Sequence, residues 1–118
     1  MVRDQQMQSV IQQTNKIDDK ISKIIDRVLN QVFGKEATLL IYRHLEHNYR
    51  LKRNEIGRKI EVFAQGLEDF LRSGAYVIER KILEDIYSSY GLIRRLEIEK
   101  VNYEDDFVSQ MKLFMRKA

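Results

Sequence analysis

His44 and His47 are the residues whose spacing comes closest to chemistry. They stand three apart on an expected helix, with Glu36 and Glu46 close in sequence. Two ligands at i and i+3 can share a metal in a helical bundle, normally with carboxylates from other helices. The chain has only 2 histidines and no cysteine, and neither E-x-x-H nor H-E-x-x-H occurs. His44 falls on the edge of an apolar stripe with His47 beside it, so both read as boundary histidines and no metal is expected. Paired carboxylates occur at Asp18-Asp19, Glu68-Asp69, Glu84-Asp85 and Asp105-Asp106. Neighbours on a helix point about 100° apart, so these pairs do not converge as an acid/base couple; they read as solvated faces and helix-start charges. Ser73 and Ser88-Ser89 have no adjacent histidine, no G-x-S-x-G elbow is present, and the glycines are scattered rather than gathered into a phosphate cradle. The expectation is no catalytic residue, no cofactor and no enzyme.

Binding chemistry is better represented. Arg50, Lys52, Arg53, Arg58 and Lys59 place five cations in ten residues. Such a loop can grip phosphates, and a dimer would double its footprint. Tyr42 and Tyr49 lie close by in sequence, where rings can stack on unpaired bases. Gly57 and the acidic-faced helix that follows do not make a helix-turn-helix with polar readers. The competing expectation is a solvated loop whose charge is balanced by its neighbour or by a partner. Residues 34–59 carry seven cations against three carboxylates, a net of +4, whereas residues 60–92 carry three against six, a net of −3. The whole chain is only mildly basic at +3, which is weak support for nucleic acid.

The elements that position these groups begin with a heptad. With Met7 at a, the a series is Met7, Thr14, Ile21, Val28 and the d series is Val10, Ile17, Ile24, Gln31. A narrow apolar seam on a polar helix is the coiled-coil pattern, and it assigns Met7, Val10, Ile17, Ile21, Ile24 and Val28 to a homodimer contact. Thr14 and Gln31 weaken the seam and help to fix its register. Ile11 and Ile25 widen the stripe, which favours the alternative of an amphipathic helix lying on its own core. The division is residues 1–32 as a coiled-coil-like helix and 33–118 as a compact helical domain. On that division, removing residues 1–32 turns a dimer into a monomer with its helicity kept.

Phe33-Gly34 interrupts the pattern, and a helix from Lys35 to Tyr49 follows with Ala37, Leu40, Ile41, His44, Leu45 and Tyr49 inward. Arg50 to Lys59 reads as a loop in which Asn54 caps a turn from Glu55 while Leu51 and Ile56 tuck inward. Ile60 to Gly91 reads as two helices joined at Arg72-Ser73-Gly74-Ala75. Ile60, Phe63, Ala64, Leu67, Phe70 and Leu71 share one face of the first. The second has one stripe of Ala75, Ile78, Ile82 and Ile86 and another of Tyr76, Leu83, Tyr87 and Tyr90, with Val77 flanking, which makes it the central helix. Gly74 and Gly91 sit where left-handed caps would end these helices. Leu92 to Val101 fits an extended segment or a helical continuation. Asn102 and Asp105 resemble a capping pair ahead of a last stripe of Phe107, Met111, Phe114 and Met115, closed by Arg116-Lys117.

A chain of 118 residues with no proline fits one domain of long helices with few connections. The expected fold is therefore all-α, a bundle-like domain of four to five helices with a long N-terminal heptad helix. No apolar run of about 18 residues exists, so no membrane span is expected. The polar glutamines of residues 5–13 do not make a secretory signal, and the absence of cysteine fits the cytoplasm.

The blocks Phe33-Gly34-Lys35-Glu36-Ala37, Ile41-Tyr42-Arg43-His44-Leu45-Glu46, Ser73-Gly74-Ala75-Tyr76-Val77-Ile78-Glu79, Tyr87-Ser88-Ser89-Tyr90-Gly91-Leu92 and Tyr103-Glu104-Asp105-Asp106-Phe107 occur in this order. Together they resemble an archaeal helical module, the nitrososphaera output domain, over about Phe33 to Phe114. The resemblance rests on packing motifs and implies a small helical unit placed after sensor or coiled-coil segments in signalling proteins, with no catalytic residues to carry over. It makes a non-enzymatic, homodimeric signalling-output module with an unidentified protein partner the leading expectation. A dimeric nucleic-acid-binding protein using the basic loop is the alternative.

Overall fold

In the computed structural model, residues 2–89 and 106–117 are described, with side chains for 16–89 and 106–115. Four α-helical stretches are present among them: α1 (Val2–Tyr49), α2 (Ile60–Leu71), α3 (Ala75–Ser89) and α4 (Phe107–Lys117). Short 3₁₀ turns, Arg53–Glu55 and Arg72–Gly74, join the first three. No described residue is in a strand, so the fold is all-α. The interruption expected at Phe33-Gly34 is present inside α1, where Gly34 is non-helical between residues 2–33 and 35–49.

α1 is not straight. Gly34 has φ 83° and ψ 169°, a region that only glycine enters without strain. The consequence is visible sixteen residues apart. The Tyr42 hydroxyl donates to Asp26 Oδ1 at 2.6 Å, whereas a continuous helix would separate those residues by about 24 Å. The chain therefore reverses at Gly34 and α1 is an antiparallel pair of arms, residues 2–33 and 35–49. Buried Thr38 closes the corner, its hydroxyl donating to the Gly34 carbonyl at 2.7 Å.

The two arms meet through Ile21, Ile24, Ile25, Val28 and Leu29 on one side and Ile41, Tyr42 and Leu45 on the other, all in one core cluster. Ile25 and Leu29 lie outside the a/d series, so the stripe follows the 3.6-residue period of a core-facing helix rather than a narrow 3.5-residue seam. Leu40 is a correction. It points outward and is 55% exposed, because Thr38, Ile41, Tyr42 and Leu45 define an inward face from which it is displaced.

α2 and α3 pack across these arms, and α4 closes against α2 and α3. Ile60, Phe63, Ala64 and Leu67 of α2 are buried as their spacing predicts, whereas Phe70 remains exposed. In α3 the stripe Ala75, Ile78, Ile82, Ile86 is buried together with Leu83, Tyr87 is half-buried, and Tyr76 and Val77 face outward. The corner between α2 and α3 places its left-handed residue at Arg72 (φ 56°), not at Gly74. α4 begins on Asp106, whose Oδ1 accepts the Ser109 N–H at 2.8 Å as an N-cap does. Phe107, Met111 and Phe114 then enter the core. Gly91, the segment Leu92 to Val101 and the capping pair Asn102 and Asp105 lie outside the described residues.

The boundary expected at residue 32 falls in the α1 corner, with core residues on both sides. Removing residues 1–32 takes Ile21, Ile25, Val28 and Leu29 away and is expected to abolish cooperative unfolding rather than release a folded monomer, as circular dichroism during heating would show. Gly34→Ala meets no atom within 4 Å, so its effect isolates the backbone. A loss of about 1–3 kcal/mol in urea denaturation is expected, and an unchanged midpoint would contradict the reversal.

Candidate functional site

The basic loop is the site with the most defined geometry. Arg50 has φ 53° and turns the chain out of α1, with the Leu51 N–H donating to the Leu45 carbonyl at 3.2 Å. Leu51 and Ile56 are buried and anchor the loop from below, as their apolar type predicts. The turn between them starts after Lys52, whose N–H donates to Glu55 Oε1 at 3.4 Å, rather than on Asn54. Gly57 brings the loop against the first arm of α1. A Cβ there would lie 2.8 Å from Asp18 Cα, and the Gly57 N–H donates to Ser22 Oγ at 3.1 Å.

The cations of this loop are largely partnered within the chain. Lys59 Nζ lies 2.9 Å and Arg58 Nη2 3.6 Å from Glu55 Oε2, and these neighbours hold the Glu55 carboxyl below its usual range. The Arg53 guanidinium sits 4.2 Å from the Tyr42 ring centroid and 3.7 Å from Asp26 Oδ1. Arg53, Tyr42 and Asp26 thus form one cation–π and hydrogen-bonded unit that ties the loop to both arms of α1. Burial and the Asp26 carboxylate push the Tyr42 hydroxyl well above the ordinary tyrosine range. Arg50 and Lys52 are exposed.

Both tyrosines expected beside a nucleic acid are occupied. Tyr42 is buried under Arg53, and the Tyr49 hydroxyl donates to Asp69 Oδ2 at 3.0 Å. His44 belongs to the same aromatic corner, 4.9 Å from the Phe70 ring and 5.9 Å from the Tyr49 ring. Its Nδ1 faces the Asn48 amide at 2.9 Å and its Nε2 is 3.9 Å from Asp69. His47 is exposed on another side of the helix. Among the described residues no group of three or more His, Asp or Glu side chains is placed to hold a metal ion.

Of the residues assigned to a homodimer contact, Ile21, Ile24 and Val28 are buried in the chain's own core and Ile17 packs against its edge. A side chain already enclosed cannot serve as a knob in a second chain. Met7 and Val10 lie outside the residues whose side chains are described.

Sequence reasoning missed two buried carboxyls. Asp18, read as part of a solvated pair, is 4% exposed beneath Gly57, and burial raises its carboxyl against the opposing pull of Arg58. Glu79 is 7% exposed, and its Oε2 has no hydrogen-bond partner. Its signal was present in the pattern. Glu79 follows Ala75 by four and precedes Ile82 and Leu83 by three and four, so it falls between the two apolar stripes of α3.

Burial, then Glu68, then Asp106 raise the Glu79 carboxyl from 4.5 to about 7. A raised acid keeps its proton in the fold at pH values where the unfolded chain has lost it. Its contribution is therefore greatest at low pH and declines as pH rises from about 4.5 through about 7. Between about pH 5 and about pH 8 this site is expected to remove roughly 2–3 kcal/mol of stability. Glu79→Gln should lessen the pH dependence by that amount in urea denaturation; an unchanged slope would contradict it. Tyr42→Phe, which removes one buried hydroxyl and its bond to Asp26, is expected to lose about 1–2 kcal/mol by the same measurement.

The chain matches no protein-family model, no curated protein and no solved structure.

Proposed function

We propose that this chain is a non-enzymatic interaction module of the signalling-output kind, which self-associates through the start of α1 and presents its helical body to a protein partner. The observation that carries the reading is the length of α1. The second arm, residues 35–49, spans about 22 Å, and paired antiparallel from Gly34 it reaches back only to about residue 19. Residues 2–16 of the first arm have no counterpart in it, and the heptad positions Met7 and Val10 fall within them.

The surface supports contact rather than catalysis. Tyr76 and Val77 at the start of α3 are 65% and 64% exposed. Leu40, exposed, lies one turn before His44, which packs on exposed Phe70, so an apolar strip runs from α1 to the end of α2. Exposed apolar surface bordered by charge is characteristic of protein-contact faces. No described helix is long and apolar enough to cross a membrane. The nucleic-acid alternative rests on exposed Arg50 and Lys52, because Arg53, Arg58 and Lys59 already share Asp26 and Glu55.

Light scattering of the full chain across a tenfold dilution is expected to give a dimer. Met7→Glu combined with Val10→Glu should give a monomer that keeps its helicity by circular dichroism. A monomeric native chain, or a doubly substituted chain that stays dimeric, would refute self-association through this segment.

A further inference from the structure

At the junction of α2, α3 and α4 the described residues line an open cleft of about 570 Å³. Carboxylates from three parts of the chain line it: Glu68 from α2, Glu79 from α3 and Asp106 ahead of α4. Its remaining wall includes apolar Leu83 and Phe107 and the exposed ring of Tyr76. Arg72 and Arg80 also line it, while burial, Glu68 and Asp106 raise the proton affinity of Glu79. Among its described lining residues, three carboxylates stand against two arginines.

The floor also has unmet bonding capacity. Glu79 is more than nine-tenths enclosed, and one of its carboxyl oxygens has no donor among the described residues. A buried acceptor without a donor is costly, and a carboxylate more so. Rotation about the loose terminal torsion of a glutamate turns such an oxygen toward an arriving donor. Glu68 and Glu79 line the same cleft, so a planar group with two N–H donors can engage both. Asp106 is held as the cap of α4 by Ser109 and supplies charge rather than a ligand contact. The described carboxylates are not arranged to ligate a metal ion, which favours an organic cation over an inorganic one.

We propose that this cleft binds a guanidinium or amidinium group, free or carried on an arginine side chain, with Glu79 and Glu68 accepting its N–H donors and Tyr76, Leu83 and Phe107 covering its apolar body. The site stands apart from α1 and does not depend on self-association. Occupation requires Glu79 to give up its proton, so affinity rises with pH through the region near 7 where that carboxyl titrates.

The test is an NMR titration of the full chain with benzamidinium, with N-acetylarginine amide, and with neutral benzamide as the shape control. At least one cation should shift resonances around Glu79 and Tyr76 and bind about tenfold or more tightly at about pH 8 than at about pH 5.5, while benzamide does neither. Response to benzamidinium alone assigns a small-molecule ligand, and response to the arginine amide assigns an arginine of a partner. Glu79→Gln should weaken binding about tenfold and remove its pH dependence. Glu68→Gln should weaken binding and move its pH dependence to lower pH, because Glu68 helps to raise the Glu79 carboxyl. No cation-specific shift, a pH-independent affinity, or undiminished binding by Glu79→Gln would overturn the assignment.

Discussion

The reversal of α1 at Gly34 is the constraint on which the rest of this structure depends. Without it, Ile21, Ile25, Val28 and Leu29 would extend away from Ile41 and Leu45 on one straight rod, and α2 and α3 would have half a floor to pack on. The backbone conformation at Gly34 is needed, but it does not by itself choose the angle between the arms. Tyr42 reaching across to Asp26 converts a permitted turn into a specified one. The loop after α1 then grips the same pair of arms, through Arg53 on Tyr42 and Asp26, and through Gly57 laid directly on Asp18 and Ser22.

Charge in this molecule serves two unlike purposes. The basic loop looks like a ligand surface when its residues are counted, but in space most of its cations hold the loop closed against two carboxylates. The exposed pairs among them contribute little to stability individually. Their collective effect is to fix where the loop lies, which the buried anchors Leu51 and Ile56 reinforce. Glu79 is the opposite case. An apolar side chain there would satisfy α3 better, since desolvating a carboxyl among other carboxylates disfavours the fold. A residue that opposes stability in the middle of a central helix is the feature that directs attention to the α2–α3–α4 junction.

Much of the architecture was legible in the sequence, because it is written in period. The buried faces of α2, α3 and α4, the inward Leu51 and Ile56, the break at Gly34 and the all-helical character of the described residues follow from apolar spacing and turn chemistry. What was not legible is direction. A heptad and a core-facing stripe differ by a tenth of a residue per turn, and Ile25 and Leu29 decide between them only once the second arm is seen opposite. Leu40 and Phe70 lie on the margins of their stripes and turn out to face solvent. The left-handed positions fell on Arg50 and Arg72 rather than on Gly74, because tertiary closure of the loops overrode the local preference for glycine. The candidate sites suffered most. Lysine and arginine cannot be told apart as contacts or clamps without knowing which carboxylates face them, and a lone glutamate between two apolar stripes reads as surface until its neighbours are placed.

The most direct test of this account is a distance between the two arms of α1. The chain has no cysteine, so Lys23→Cys with Glu46→Cys, both at exposed positions, accepts a pair of spin labels without background. Measured by pulsed electron resonance with excess unlabelled chain, the reversal predicts a separation below about 20 Å, that of labels on adjacent packed helices. A separation near about 35 Å, the span of an unbroken helix, would contradict it. So would a short distance that disappears on mixing with unlabelled chain, because the arms would then be meeting between molecules rather than within one.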